Sequence, residues 1–267
     1  MYMEKLIVAG RIFYGTCMVA LGIQHFLFKN FLPVILPFWP SWMPGVILFA
    51  YLMGAILIGG GVLIIFETKA KTVGCILGII FLGLISLCHI PYQIIHNPYS
   101  GHLATWSNTF KLLALSGGAF VVAGSFSFER NIKTDCNFFI RLSSKLIPFG
   151  PIFFSVTMIT FGIVHLLYVE NVAKLVPSWI PGAIFWTYFA AIALIGSGTA
   201  IIAKIKLKLV SILLGTMIFL WFILLHIPRA IADPYVNNGN EVTSAFQALG
   251  FSGIAFVLVF WGERLKE

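Results

Sequence analysis

A chain of 267 residues that is 60% hydrophobic and only 10% charged is not a soluble globular protein, whose charged fraction is usually about 25%. Its mean hydropathy of +0.99 is that of an integral membrane protein. The net charge of +8 comes from lysines and arginines that lie mostly between apolar segments, so it predicts membrane topology rather than binding to nucleic acid.

Eight apolar segments are long enough to cross a hydrocarbon core of about 30 Å, which takes about 20 helical residues. In chain order, the predicted transmembrane helices lie at 7–28, 44–66, 72–95, 104–126, 148–169, 181–203, 207–232 and 241–262. The chain is thus predicted to be an all-α, polytopic membrane protein.

The sequence also repeats itself. GIQHFLF at 22–28 returns as GIVHLLY at 162–168, and CHIP at 88–91 returns as LHIP at 225–228. Two further motifs, PSWMPG from residue 40 and SGGAF from residue 116, return from residues 177 and 252. Because the order is kept and the offset falls only from 140 to 136, we predict a tandem duplication. The predicted units are a four-helix repeat at 1–126, a cytoplasmic amphipathic linker at 127–147 and a second four-helix repeat at 148–267.

The distribution of basic residues predicts that both termini are cytoplasmic. With the N-terminus inside, thirteen lysines and arginines fall on the inner side, and only Lys29, Lys111, Lys174 and Arg229 fall on the outer side. Four helices per repeat is an even number, so the second repeat starts on the same side as the first. The two four-helix bundles are therefore predicted to be parallel repeats rather than inverted ones.

Histidines recur at matched depths in both halves. His25 and His165 lie near the outer ends of helices one and five, whereas His89 and His226 lie six residues, or roughly 9 Å, inside helices three and seven. Ionisable side chains at that depth normally face a bundle interior or a wet cavity. A proline follows each deeper histidine by two residues and removes a backbone donor, which predicts a kink there.

Further polar residues share a helix face with these histidines and predict a pocket in each half. Helices one, three and four would line it, and the outer loops rich in proline and tryptophan would cover it. The predicted ligand-binding residues are His25, His89, Gln93, Trp106, Asn108, Lys111, His165, His226, Arg229, Asp233, Glu241 and Gln247.

Several interpretations of these pockets compete. The histidines either bond to carbonyls freed by the kinks, or donate to a small molecule such as a quinone headgroup, or line a path for an ion or solute. Haem or a metal on His89 or His226 is a further alternative, but no HxxxH, CxxCH or carboxylate cluster supports it, so no metal site is predicted.

The GIxH motif of the first helix, VPSWIPG at 176–182 with Tyr188, and LLHIPR at 224–229 resemble the DoxX-like family of bacterial membrane proteins. The resemblance covers both halves and implies a four-helix unit in a bacterial plasma membrane. It is fuller in the second half, which has Arg229, Asp233 and Glu241, whereas the first half has Tyr92 where Arg229 stands.

Members of that family are tied to thiosulfate:quinone oxidoreductase and to membrane redox complexes. The resemblance therefore implies a quinone-linked redox subunit that works with redox or periplasmic partner proteins. The alternative is a non-enzymatic scaffold or assembly factor that binds a partner protein or a membrane lipid. If only one half keeps chemistry, His165 and His226 are the residues expected to carry it.

Overall fold

The computed structural model describes residues 2–37, 44–126 and 145–264, and these residues form helices and short connections without a β-strand. Seven helical segments in these ranges are long and apolar enough to cross a membrane. The chain is therefore an all-helical, multi-pass membrane protein, as its composition predicts. The seven segments are Met3–Phe28, Val46–Ile65, Ala70–His96, Ile147–Leu167, Ala183–Ile202, Leu207–Ala232 and Asn240–Gly262.

The first half contains four long helices. They are α1 at Tyr2–Phe28, α2 at Val46–Ile65, α3 at Ala70–Leu84 and α4 at Ser107–Ser125. Two π-helical turns, Ile85–His89 and Tyr92–His96, continue the path of α3, and a 3-10 turn at Leu103–Trp106 leads into α4.

The second half repeats this order. A 3-10 turn at Ile147–Phe149 leads into α5 at Gly150–Leu167, and the short α6 covers Val169–Ala173. The remaining elements are α7 at Ala183–Ile202, α8 at Leu207–Trp221, a π-helical turn at Phe222–His226, α9 at Ile227–Ala232 and α10 at Asn240–Arg264.

Helix α4 lies inside the predicted span 104–126 but is not among the seven apolar segments. Asn108 and Lys111 occupy its first two turns and lower its hydropathy, although its later turns are almost fully buried. Two other predictions fall outside the described residues: the linker up to residue 144, and the part of the first loop at 38–43 with Trp39 and Trp42.

The long helices form a closed ring. Following the contacts, the ring runs α1, α2, α3, α4, α5, α7, α8, α10 and back to α1, while α4 and α10 also touch across the middle. Helix one of each half thus packs against helix four of the other half. These two contacts join the halves to each other.

Antiparallel packing of neighbouring helices places the end of α1 beside the start of α10. Gly239, which precedes α10, lies against the ring of Phe28 at the end of α1. We call this side, where α1 and α5 end and α4 and α10 begin, the histidine end. The opposite side, which carries the lysines of the α2–α3 and α7–α8 connections, is the lysine end.

Glycines allow the two helix pairs that join the halves, α1 with α10 and α4 with α5, to approach closely. A Cβ atom on Gly10 of α1 would stand 2.6 Å from the carbonyl oxygen of Gly253 on α10, and one on Gly117 of α4 would stand 2.7 Å from that of Gly150 on α5. Backbones this close are typical of membrane helices. Because the hydrophobic effect does not drive helices together in lipid, their association depends on van der Waals contact, which small residues permit. The two pairs are related by the same offsets as the repeated sequence motifs.

Hydrogen bonds from serine side chains also recur at matched positions in the two halves. Ser116 Oγ donates to the carbonyl oxygen of Gly78 at 2.8 Å, and Ser252 Oγ donates to that of Gly215 at 2.8 Å. Each bond ties helix four to helix three within one half. The repeated SGGAF and SGIAF motifs therefore make equivalent contacts.

The backbone departs from α-helical geometry near the two prolines where the sequence predicts kinks. The π-helical turns Ile85–His89 and Phe222–His226 end two residues before Pro91 and Pro228. A wider turn accommodates a backbone in which proline supplies no N–H group, and such turns are frequent at functional sites. In both halves the deeper histidine is the last residue of this turn.

Candidate functional site

A buried loop packs against His89 in the first half. Leu32, Val34 and Ile35 of the α1–α2 connection are almost completely buried and belong to the main apolar core. The ring of His89, itself fully buried, lies with Nε2 3.2 Å from the carbonyl oxygen of Ile35. We call residues 32–35 the plug, because Leu32, Val34 and Ile35 are buried in the core and Ile35 contacts His89, a residue of the predicted pocket.

The remaining first-half candidates are largely bonded within the protein. His25 is buried, with Nδ1 2.7 Å from the carbonyl oxygen of Leu21, while its Nε2 has no partner in the described residues. Gln93 Nε2 donates to the Thr105 carbonyl oxygen at 2.8 Å. Trp106 Nε1 donates to the carbonyl oxygen of Ser100 at 2.8 Å. These bonds fix the histidine end of the first half.

The second half has no corresponding plug among its described residues. Every residue from 168 to 182, including those of α6, stays at least partly exposed, and Leu175 is 45% exposed. One contact ties this connection to the site, because Arg229 Nη1 donates to the carbonyl oxygen of Leu175 at 3.2 Å. The connection of the second half therefore does not enter the core as the plug of the first half does.

A bidentate ion pair joins α9 to α10 at the histidine end of the second half. Arg229 of α9 donates to Glu241 of α10 through Nε at 2.8 Å and through Nη2 at 2.7 Å. Both side chains are mostly shielded from solvent. Paired forks of this kind are strong and directional, so they hold the end of α9 on the start of α10.

His226 lies beside this pair without a bond of its own. Its Nδ1 atom is buried and has no hydrogen-bond partner among the described residues. Lys111, which comes from α4 of the first half, lies within electrostatic reach of both His226 and Glu241. The site is therefore shared between halves: α4 supplies one cation, and α9 and α10 supply the other cation and the carboxylate.

The basic side chains of this cluster outnumber its carboxylates. Lys111 and Arg229 are the two basic side chains, and Glu241 is the one described carboxylate beside them. A site with this balance favours a ligand that carries negative charge or strong acceptor oxygens.

The other predicted site residues differ from one another in burial and in hydrogen bonding. His165 is half-buried, with Nδ1 2.7 Å from the carbonyl oxygen of Phe161. Asn108 is half-buried at the start of α4, whereas Asp233 is exposed at the end of α9. Gln247 is 1% exposed, and both atoms of its amide lack a partner in the described chain.

Two bonds at the histidine end involve residues that the sequence analysis did not single out. Thr243 Oγ1 of α10 donates to Gln24 Oε1 of α1 at 2.7 Å, and Thr109 Oγ1 lies 3.4 Å from His89 Nδ1. Gln24 precedes a conspicuous histidine but has Val164 as its counterpart, so the repeat carries no signal for it.

Truncation of the plug is expected to cost much more than truncation of its counterpart. Ile35→Ala removes fully buried carbon atoms and should lower the free energy of unfolding by about 2–4 kcal/mol. Leu175→Ala, at a 45% exposed position, should change it by less than about 0.5 kcal/mol. Thermal unfolding of the two purified variants in one detergent measures the difference. Equal losses would show that the two loops are packed alike.

Within the described residues, no group of three or more histidine, cysteine, aspartate or glutamate side chains is arranged to hold a metal ion. In comparisons with known proteins, the chain matches no protein-family model, no curated protein and no solved structure.

Proposed function

We propose that the chain is a DoxX-like protein of a bacterial plasma membrane, with eight transmembrane helices in two parallel four-helix repeats and both termini in the cytoplasm. The matched glycine and serine contacts support the repeat. The contacts of α4 with α3, α5 and α10 support its role as the eighth span. With the lysine end inside, the histidine end faces outward.

We further propose that the site at His226 binds the headgroup of a quinone, as part of a redox subunit. The observation that carries this proposal is the buried, unpartnered Nδ1 of His226 beside Lys111. An unpartnered buried polar atom costs about 1–3 kcal/mol, so native proteins usually supply a partner for it. A quinone presents two carbonyl oxygens, and these are the acceptors that an imidazole N–H and an ammonium group require.

The roles of the side chains follow from their chemistry. A bound quinone takes up two electrons and two protons. A neutral imidazole has one exchangeable N–H proton, and in the tautomer that holds this proton at Nδ1, His226 donates it to a carbonyl oxygen of the quinone. Lys111 stabilises negative charge on an oxygen at the site, and Arg229 is held away from the ligand by its bidentate pair with Glu241. Electrons would come from a small extracytoplasmic donor or a periplasmic partner protein.

Binding of a short-chain quinone tests this site. Trp221 adjoins the turn that ends at His226, so quenching of tryptophan fluorescence is a suitable readout. Lys111→Met and His226→Phe each remove one donor and should weaken binding about tenfold or more, in line with about 1.5–3 kcal/mol for a bond of this kind. Quinone extracted from the purified wild-type protein should be lost in parallel.

His89→Phe is the matched control, because it makes the same substitution in the half where the histidine contacts the plug. It should leave quinone affinity unchanged, provided that the variant elutes from gel filtration as the wild-type protein does. Wild-type affinity in both second-half variants, or an equal loss in the control, would contradict a quinone site at His226.

A second candidate function is a scaffold that grips a partner protein. The observation that favours it is an exposed aromatic cluster at the histidine end of α7, where Phe185, Trp186 and Phe189 pack on one another and remain 42–63% exposed. Rigid aromatic surfaces are common at interfaces. Affinity purification from native membranes tests it: one partner that is recovered with wild type and lost with Phe185→Ser supports the scaffold, and recovery of the chain alone in every detergent contradicts it.

A further inference from the structure

The deeper histidine of each half faces the same position of its fourth helix. The two serine bonds fix one register between helices three and four in both halves. His89 comes eleven residues after Gly78, the acceptor of this bond, and His226 comes eleven residues after the matching acceptor. Thr109 and Ala245 each precede the donor serine by seven residues. Because each fourth helix also contacts the turn that ends at the histidine, Ala245 stands opposite His226 as Thr109 stands opposite His89.

This shared register carries a difference of one hydroxyl group. In the first half, Thr109 Oγ1 lies 3.4 Å from His89 Nδ1. In the second half, Ala245 is buried and has no hydroxyl group to offer. The Nδ1 atom of His226 is buried too, and it has no hydrogen-bond partner among the described residues. The chain therefore supplies an oxygen atom at Nδ1 of His89 but none at Nδ1 of His226.

Backbone carbonyl groups fix the tautomers of the other three repeated histidines. His25 and His165 each have Nδ1 2.7 Å from the carbonyl oxygen four residues earlier. His89 has Nε2 3.2 Å from the carbonyl oxygen of Ile35. A carbonyl oxygen only accepts, so the nitrogen beside it carries the proton and the other nitrogen of a neutral ring is an acceptor. Nδ1 of His89 therefore accepts the hydroxyl proton of Thr109.

The tautomer of His226 is not fixed in this way. Neither ring nitrogen forms a hydrogen bond within the part of the chain that the structure describes. A neutral imidazole holds its single proton on either nitrogen. Nδ1 of His226 therefore donates to a carbonyl oxygen in one tautomer and accepts from a hydroxyl group in the other. A quinone presents the first kind of oxygen atom, and the quinol formed from it presents the second.

We propose that the position between His226 Nδ1 and Ala245 is a subsite for one oxygen atom of the ligand, and that it binds the carbonyl group of a quinone and the hydroxyl group of its quinol alike. This inference rests on the proposed quinone site and adds a specificity-determining residue to it. Alanine lacks the outer atoms of threonine, so Ala245 leaves free the position that the Thr109 side chain occupies in the first half. Ala245 thus determines which histidine binds the ligand.

Titration of the purified full-length protein with a short-chain quinone, and with its chemically reduced quinol, tests this subsite through tryptophan fluorescence. Wild type should bind both forms. Ala245→Thr fills the subsite with the protein's own hydroxyl group and should weaken binding of both forms about tenfold or more. Thr109→Ala is the matched exchange in the first half and should leave both affinities unchanged. Wild-type affinity in Ala245→Thr, an equal loss in Thr109→Ala, or binding of the quinone alone would overturn the inference.

Thermal unfolding without added quinone separates this inference from the quinone proposal. Ala245→Thr and Ala245→Val add side chains of nearly the same shape, but only threonine can donate to His226 Nδ1. Ala245→Thr should therefore unfold about 2–4 °C higher than Ala245→Val. The difference should vanish when both carry His226→Phe, because the hydroxyl group then has no partner ring. Equal unfolding temperatures, or a difference that persists with His226→Phe, would overturn the subsite. A wild-type protein that binds no quinone but shows the expected difference would contradict the quinone proposal alone.

Discussion

Gly253→Ala is expected to be among the most damaging single substitutions in the chain, although it adds only one methyl group. The new Cβ atom would stand 2.5 Å from the carbonyl oxygen of Gly10, which belongs to backbone and has no rotamer to change. Helices α1 and α10 would have to separate along their contact. We expect a loss of about 2–3 kcal/mol in the free energy of unfolding, the range for overpacking in a well-packed core.

The control for this substitution is Gly196→Ala on α7. A Cβ atom on Gly196 would meet no atom within 4 Å, so alanine should stabilise the helix there by up to about 1 kcal/mol. Thermal unfolding in detergent measures both variants. Opposite signs are expected, and a similar small change in both would show that α1 and α10 separate without cost. Gly117→Ala, the counterpart of Gly253→Ala at the α4–α5 contact, should behave as Gly253→Ala does.

Removal of Glu241 is expected to cost more than removal of Arg229. Glu241→Gln leaves Arg229 and Lys111 as two partly buried cations without a carboxylate, and should destabilise the protein by about 2–3 kcal/mol. Arg229→Gln leaves Glu241 with Lys111, so the charges still balance and the expected loss is about 1–2 kcal/mol. The measurement is again the midpoint of thermal unfolding.

A second substitution should partly rescue the damaged site. Lys111→Met removes one of the two uncompensated cations, so the variant Lys111→Met/Glu241→Gln should be more stable than Glu241→Gln alone. For comparison, Glu67→Gln breaks an ion pair whose carboxylate is 46% exposed, and should cost less than about 1 kcal/mol. Additive losses in the double variant would show that Lys111 does not act on the pair.

Much of the helical framework is predictable from the sequence because the bilayer imposes a simple rule. A span needs about 20 apolar residues, so the predicted segment 44–66 contains α2 at Val46–Ile65, and 181–203 contains α7 at Ala183–Ile202. The disturbance near Pro91 and Pro228 is predictable too, since proline lacks an N–H group. Its form, a π-helical turn ending at each histidine, depends on packing and is not.

The partners of the helices are not predictable in this way. Glycines mark surfaces of close approach, but nothing in Gly10 indicates that its neighbour is Gly253 of the other half rather than a helix of its own. The plug is equally hidden, because Leu32 and Ile35 read as ordinary apolar residues of a loop. Both contacts belong to the tertiary packing, so the difference between His89, which contacts Ile35, and His226, whose Nδ1 has no partner among the described residues, is not visible in the sequence.

The exchanged packing of α1 and α10 has a consequence for assembly. Among the described helices α1 is synthesised first, yet one of its two partner helices, α10, is synthesised last. Until α10 arrives, the Gly10 surface of α1 and the partner surface of α8 have only lipid to contact. Closure of the ring is therefore a late, long-range event, and a chain that lacked α10 would leave α1, Lys111 and His226 without the contacts that define them.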